Sequence, residues 1–141
     1  MKIGVICGSD RENSQSFKVG SYFTNRLKDL KLSATQYVLD LGGNSLPLWE
    51  EHPDKSRSKD FWLNQWPHIK EQLASCDAFI LVVPEWGGMV TPNIKNFLLL
   101  CSPLELGHKP ALITSVSAGM GGAYPISELR ASGYKLSLIH I

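Results

Sequence analysis

Three stretches of the chain gather residues suited to holding a phosphate group or a flat aromatic ligand. The first is Gly8-Ser9-Asp10-Arg11-Glu12-Asn13-Ser14-Gln15-Ser16. Ser9, Ser14 and Ser16 offer hydroxyl donors, and Arg11 offers a charged fork. At a helix start, where N–H groups are unpaired and the dipole end is positive, this set suits a phosphate monoester. The same residues read equally well as a Ser/Asn helix cap with no ligand. The second stretch is Pro84-Glu85-Trp86-Gly87-Gly88-Met89-Val90-Thr91-Pro92. Its paired glycines let a flat ligand approach the backbone, and Trp86 supplies an aromatic face. The plainer alternative is a tight turn with a surface tryptophan. The third is Ser117-Ala118-Gly119-Met120-Gly121-Gly122, whose backbone donors are free of side-chain bulk. Two common phosphate signatures are absent. There is no G-x-x-x-x-G-K-[ST], and no G-x-G-x-x-G follows the first strand.

Each stretch follows a run that reads as a buried strand. Lys2 to Cys7 (KIGVIC), 78–83 (AFILVV) and Pro110 to Val116 (PALITSV) are short, apolar and rich in β-branched residues. A further strand is expected over 33–41. Phe17, Val19, Phe23, Leu27 and Leu30 recur at helical spacing, which predicts a helix over 14–30. Phe61, Trp62, Trp66, Ile69 and Leu73 predict a second helix over 61–75, with a break or late start at Pro67. Pro92 suits the first turn of a third, reaching about Cys101, and a fourth follows the Gly119 to Gly122 turn and reaches about Ser132. Residues 42–59 form a long loop punctuated by Gly42-Gly43, Pro47 and Pro53. The resulting β-α-β-α-β-α-β-α order implies a parallel sheet with helices on both faces. Ligands of such sheets sit beyond the carboxyl ends of the strands, where all three stretches fall.

The chain has 141 residues, the size of one domain, with 43% apolar and 19% charged residues. Fourteen basic residues against 13 acidic give a net charge of +1, which leaves no footprint for nucleic acid or an acidic membrane surface. No apolar run is long enough for a signal peptide or membrane span. Cys7, Cys76 and Cys101 match no ligand pair and read as reduced, buried thiols of a cytoplasmic protein. His52, His68, His108 and His140 are scattered, so no metal is expected. Trp49, Trp62 and Trp66 read as lid or core packing.

The three stretches, in order and at strand ends, resemble the NAD(P)H-dependent FMN reductase family, which includes quinone, azo-dye and chromate reductases. Gly8-Ser9-x-Arg11-x-x-Ser14 resembles its phosphate loop. Pro84-Glu85-Trp86-Gly87-Gly88, followed by Asn93 to Asn96 (NIKN), is similar to its Pro-Glu-Tyr-Asn-Gly loop and helix. Ser117-x-Gly119-x-Gly121-Gly122 with Glu128-Leu129-Arg130 is similar to its third loop and helix. The resemblance spans about residues 1–135. It implies a flavodoxin-like three-layer αβα sandwich of sheet order 2-1-3-4-5 that binds FMN, with NAD(P)H as co-substrate. It implies that Ser9, Arg11, Ser14, Gln15 and Ser16 hold the FMN phosphate. Pro84, Glu85, Trp86 and Gly87 would line one edge of the isoalloxazine, and Ser117 and Gly119 the other. Trp86 and Gly87 stand where the family usually has Tyr and Asn, so a side-chain contact to the flavin is lost. Cys7 ahead of an anion-type loop also resembles low-molecular-weight phosphotyrosine phosphatases, but their arginine would fall at Asn13, and Arg11 comes too early.

The expected activity is hydride transfer from NAD(P)H to flavin and on to a quinone-like or other small acceptor. That step needs no catalytic acid or base from the protein. Two other readings stand beside it: a flavodoxin-like electron carrier without NAD(P)H turnover, and an interaction domain without flavin. The resemblance further implies a homodimer or homotetramer. The family pattern calls for a fifth strand and helix after Tyr134-Lys135. The chain instead ends in Leu136-Ser137-Leu138-Ile139-His140-Ile141, which one reading frame of the sequencing-library adapter CTGTCTCTTATACACATC encodes. Residues 1–135 are therefore expected to form a C-terminally incomplete domain, and residues 136–141 a tail foreign to it.

Overall fold

Lys2–Cys7 forms strand β1, and the computed structural model describes residues 1–119, 121–133 and 137–140. Thr35–Asp40 (β2) pairs parallel on one side of β1, and Ala78–Trp86 (β3) on the other. Pro110–Val116 (β5) follows beyond β3, and Ile139–His140 (β6) closes the row. The order is β2-β1-β3-β5-β6, with Met89–Val90 (β4) paired antiparallel to the end of β3. Counting only the strands of the parallel row, this is the expected 2-1-3-4-5.

Strand alternation sends side chains to opposite faces. Ile3, Val5 and Cys7 of β1 cluster with Ile80 and Val82 of β3. Val19, Phe23 and Leu27 cover them from helix α1 (Gln15–Asp29). Ile6, Phe79, Leu81 and Val83 join a larger cluster. That cluster takes Leu73 from α2 (Trp66–Ala74), Ile94 and Phe97 from α3 (Pro92–Leu100), Leu106 from α4 (Pro103–Leu106), and Leu129 from α5 (Ala123–Gly133).

The structure departs from the sequence expectations at the end of the third strand and in a short added helix, and it gives the form of the break expected at Pro67. The second helix opens as a π-helical turn, Phe61–Gln65, and becomes α-helical from Trp66. Pro67 has no N–H to give Leu63, so a regular α-helix cannot run through it. The Trp66 N–H closes on Phe61 instead. The third strand runs on to Trp86 because Gly87 and Gly88, at φ 58° and 76°, make a two-residue turn that folds the chain back into β4. A short α4 was not expected. Ser102 caps it with a capping box, accepting from the Leu104 N–H while Glu105 accepts from the Ser102 N–H. Finally, part of the 136–141 tail lies against the domain. Leu138 is buried at 1% exposure in the larger cluster, and β6 pairs with Pro110 and Ala111. Leu136 and Ile141 lie outside the described residues. Beyond Ala111 the outer edge of β5 is unpaired among the described residues, and Leu112 stays 40% exposed.

Candidate functional site

The β1–α1 loop starts at a residue that only glycine can fill. A Cβ on Gly8 would stand 2.3 Å from the Ile94 side chain, and its N–H donates to Val82 O at 2.8 Å. The buried Thr91 hydroxyl donates to Gly8 O at 2.6 Å, which ties this loop to the start of α3. From there the chain turns through Asn13 at φ 52° into α1, with Ser14 at the N-cap. Ser14 Oγ accepts from the Phe17 N–H at 3.0 Å, and Ser9 Oγ from the Arg11 N–H at 3.2 Å. Both hydroxyls thus keep a hydrogen to donate. Ser16 Oγ is fully buried with no partner among the described residues. An orphan buried hydroxyl at a helix N-terminus is what an oxyanion-binding cradle leaves open.

This cradle forms one end of a cavity of about 510 Å³. It is lined by Ser9, Arg11, Glu12, Asn13, Ser14, Gln15 and Ser16 at the α1 end. Pro84, Glu85 and Trp86 line it from the end of β3, and Val116, Ser117 and Ala118 from the end of β5. The volume lies in the range of small-molecule sites. The structure therefore brings together every expected site residue except Gly87 and Gly119, which are exposed on the adjoining turns. Glu12, Asn13, Val116 and Ala118 were not singled out beforehand. Asn13 could have been, since a left-handed residue ahead of a capped helix favours Asn. Met120, in the third stretch, lies outside the described residues.

The two larger loops meet across the cavity. The Arg11 guanidinium carbon stands 4.6 Å from the centroid of the Trp86 ring, a cation–π contact between the phosphate-type loop and the hairpin. Glu85 Oε2 is buried in the same cavity without a partner among the described residues. Cys7 is buried at the end of β1. Burial first, and then the charge of Asp40, push its thiol up to about 12, so it is not a nucleophile at neutral pH. Trp66 is core, Trp62 packs against it, and Trp49 has an exposed ring and a backbone N–H that donates to Asn96 Oδ1. Among the described residues no three His, Cys, Asp or Glu side chains gather as metal ligands, and no helix is long and apolar enough to cross a membrane.

A doubly wound sheet with a hydroxyl-rich helix N-terminus and aromatic and glycine loops at its carboxyl edge has the flavodoxin-like architecture and a site suited to a phosphate-bearing ligand. The profile of the NADPH-dependent FMN reductase family matches residues 1–141, and the chain belongs to that family. FMN is accordingly its cofactor, NAD(P)H its reductant, and flavin-dependent oxidoreduction its chemistry. The chain is 26% identical over 133 residues to a NADPH azoreductase of Bacillus sp. (strain OY1-2), covering 94% of this chain and 68% of that protein. Its fold is similar to FerB, a flavoenzyme NAD(P)H:(acceptor) oxidoreductase from Paracoccus denitrificans. The TM-score is 0.75 at 18% identity, over 99% of this chain and 74% of the other. It is also similar to an FMN-dependent NADH-azoreductase from Bacillus anthracis str. Ames Ancestor, solved with FMN. There the TM-score is 0.72 at 17% identity, over 100% of this chain and 85% of the other.

Proposed function

We propose that the chain is an NAD(P)H-dependent reductase that holds FMN in the cavity between the β1–α1 loop, the β3–β4 hairpin and the end of β5, and reduces a quinone-like or azo-type small acceptor. The observation that carries this reading is the convergence of Ser9, Arg11, Ser14 and Ser16 with Pro84, Glu85, Trp86 and Ser117 on one cavity. The serine hydroxyls, the Arg11 guanidinium and the N-terminus of α1 would hold the phosphate, with Gln15 at its rim. Pro84, Glu85, Trp86 and Gly87 would bound one edge of the ring system, and Ser117 and Gly119 the other. The Gly119 N–H donates to Ser117 Oγ at 3.1 Å, which holds that loop in shape.

FMN held there would supply the hydride-accepting and electron-passing chemistry. The protein's own work is to bind, orient and keep water away. No side chain is assigned as acid or base. A flat acceptor suits the apolar surface of the adjoining turn: Met89 and Tyr124 are 58% and 65% exposed beside Gly87 and Gly88, near half-buried Trp86. By the same family reasoning the enzyme is a cytoplasmic homodimer or homotetramer.

NAD(P)H oxidation by the FMN-loaded protein, measured with a benzoquinone, an azo dye and no acceptor, tests the reading. Turnover that rises with the quinone or the dye supports it. FMN binding without NAD(P)H oxidation would move the protein to the electron carriers.

A further inference from the structure

The hairpin that carries Trp86 has only two backbone pairs of its own. It pairs only Glu85 with Val90 and Trp86 with Met89, beyond the last β3 pair with β5 at Pro84 and Val116. A hairpin this short is marginal in isolation. Val90 is buried at 4% exposure, so its N–H needs an acceptor. It finds one in Glu128 of α5, whose Oε2 accepts at 2.8 Å. The other oxygen, Oε1, forms an ion pair with Lys95 Nζ, in the first turns of α3. One carboxylate thus joins the hairpin, the helix that follows it, and the helix that follows the third cavity loop. Glu128 does not line the cavity; with Lys95 it lines a separate cleft of about 580 Å³. The Lys95 contact first, and then the Val90 N–H, hold its carboxyl below its ordinary value, so it is ionised at neutral pH.

We propose that Glu128 is a positioning residue for the ring end of the site, holding the Gly87–Gly88 hairpin by its Val90 N–H and so fixing where Trp86 stands. The inference rests on the proposed flavin reading of the cavity. The acceptor matters more than the charge. Lys95 is half exposed, and exposed ion pairs contribute little. An unmade hydrogen bond to a buried N–H costs much more.

The test compares Glu128→Ala, Glu128→Gln and Lys95→Ala with the parent, as full-length protein with and without FMN. Hydrogen exchange reads the hairpin directly. Glu128→Ala is expected to speed exchange at Gly88, Met89 and Val90 by roughly tenfold, with β1 and β3 core amides unchanged. Affinities for FMN and riboflavin should fall together, again by roughly tenfold, because the phosphate contacts are untouched. Glu128→Gln keeps an oxygen acceptor and Lys95→Ala keeps the carboxylate, so both should stay within about fivefold of the parent. In a Trp86→Ala background the effect of Glu128→Ala on flavin affinity should vanish, since it acts through that ring. Unchanged hairpin exchange, a uniform rise across the domain, or full additivity with Trp86→Ala overturns the proposal. If Trp86→Ala leaves flavin binding intact while Glu128→Ala still frees the hairpin, the clamp stands and the flavin reading of Trp86 fails.

Discussion

Replacing Arg11 by alanine separates the phosphate end of the site from the ring end. Arg11 is assigned to the phosphate, so its loss should weaken FMN and spare riboflavin. A charge-assisted hydrogen bond contributes about 1.5–3 kcal/mol. The flavin-free structure subtracts from that figure, because the guanidinium already lies 4.6 Å from the Trp86 ring. An exposed cation–π contact is worth about 0.5–1 kcal/mol, and it is given up when Arg11 turns to the phosphate. The net loss for FMN is then about 0.5–2.5 kcal/mol, or roughly two- to seventyfold in affinity. In a Trp86→Ala background there is no stack to give up. The ratio of FMN to riboflavin affinity should then respond more strongly to Arg11→Ala, by roughly ten- to 150-fold. Titration of deflavinated protein with each ligand, following flavin fluorescence, measures all four variants. Equal weakening of FMN and riboflavin by Arg11→Ala refutes the phosphate assignment. An Arg11 effect equal in the two backgrounds shows that the stack persists in the bound state.

Other substitutions probe the frame around the site. Gly87→Asn should retain stability and flavin, since Asn tolerates a φ of 58°, while Gly87→Val should cost about 1–2 kcal/mol in a thermal melt. Leu138→Ala should cost about 2–4 kcal/mol, because Leu138 is buried in the larger cluster; an unchanged melting temperature would show the 136–141 segment to be a passive tail. Burial pushes the Glu105 carboxyl up, but hydrogen bonds from the Ser102 hydroxyl and N–H and the Lys70 ammonium bring it net below its ordinary 4.5. Its stabilisation is therefore present above that value and lost as the pH falls through the lowered one. Glu105→Gln should lower Tm by about 4–9 °C at neutral pH. The gap from the parent should narrow below pH 4.5, and a gap constant with pH would contradict the assignment.

The parts of the fold that were legible in the sequence are those where one local signal has one physical reading. The β-branched runs of β1 and β5 admit little but buried strand. The Ser14 cap and the recurrence of Val19, Phe23 and Leu27 fix α1 to within a residue at each end. The hairpin was misread because Pro84 and Glu85 look like the start of a loop. They sit instead on a strand whose Pro lies at its outer end, and the Gly87–Gly88 pair is a two-residue hairpin signal in its own right. The capping box at Ser102 and Glu105 was likewise available for α4. The Arg11–Trp86 stack and the reach of Glu128 to Val90 were not legible, since 75 and 38 positions separate the partners and only the sheet order brings them together. Sequence could name the loops but not which side chains close on one another.

Anaerobic mixing of the FMN-loaded protein with NADPH, followed by flavin absorbance, tests the central claim most directly. The account predicts a one-to-one protein–FMN complex whose oxidised flavin band bleaches on mixing. Addition of a quinone should restore the band, and Arg11→Ala should weaken FMN binding relative to the parent while sparing riboflavin. A protein that takes up no FMN, or whose bound FMN keeps its oxidised spectrum in excess NADPH and NADH, would contradict it.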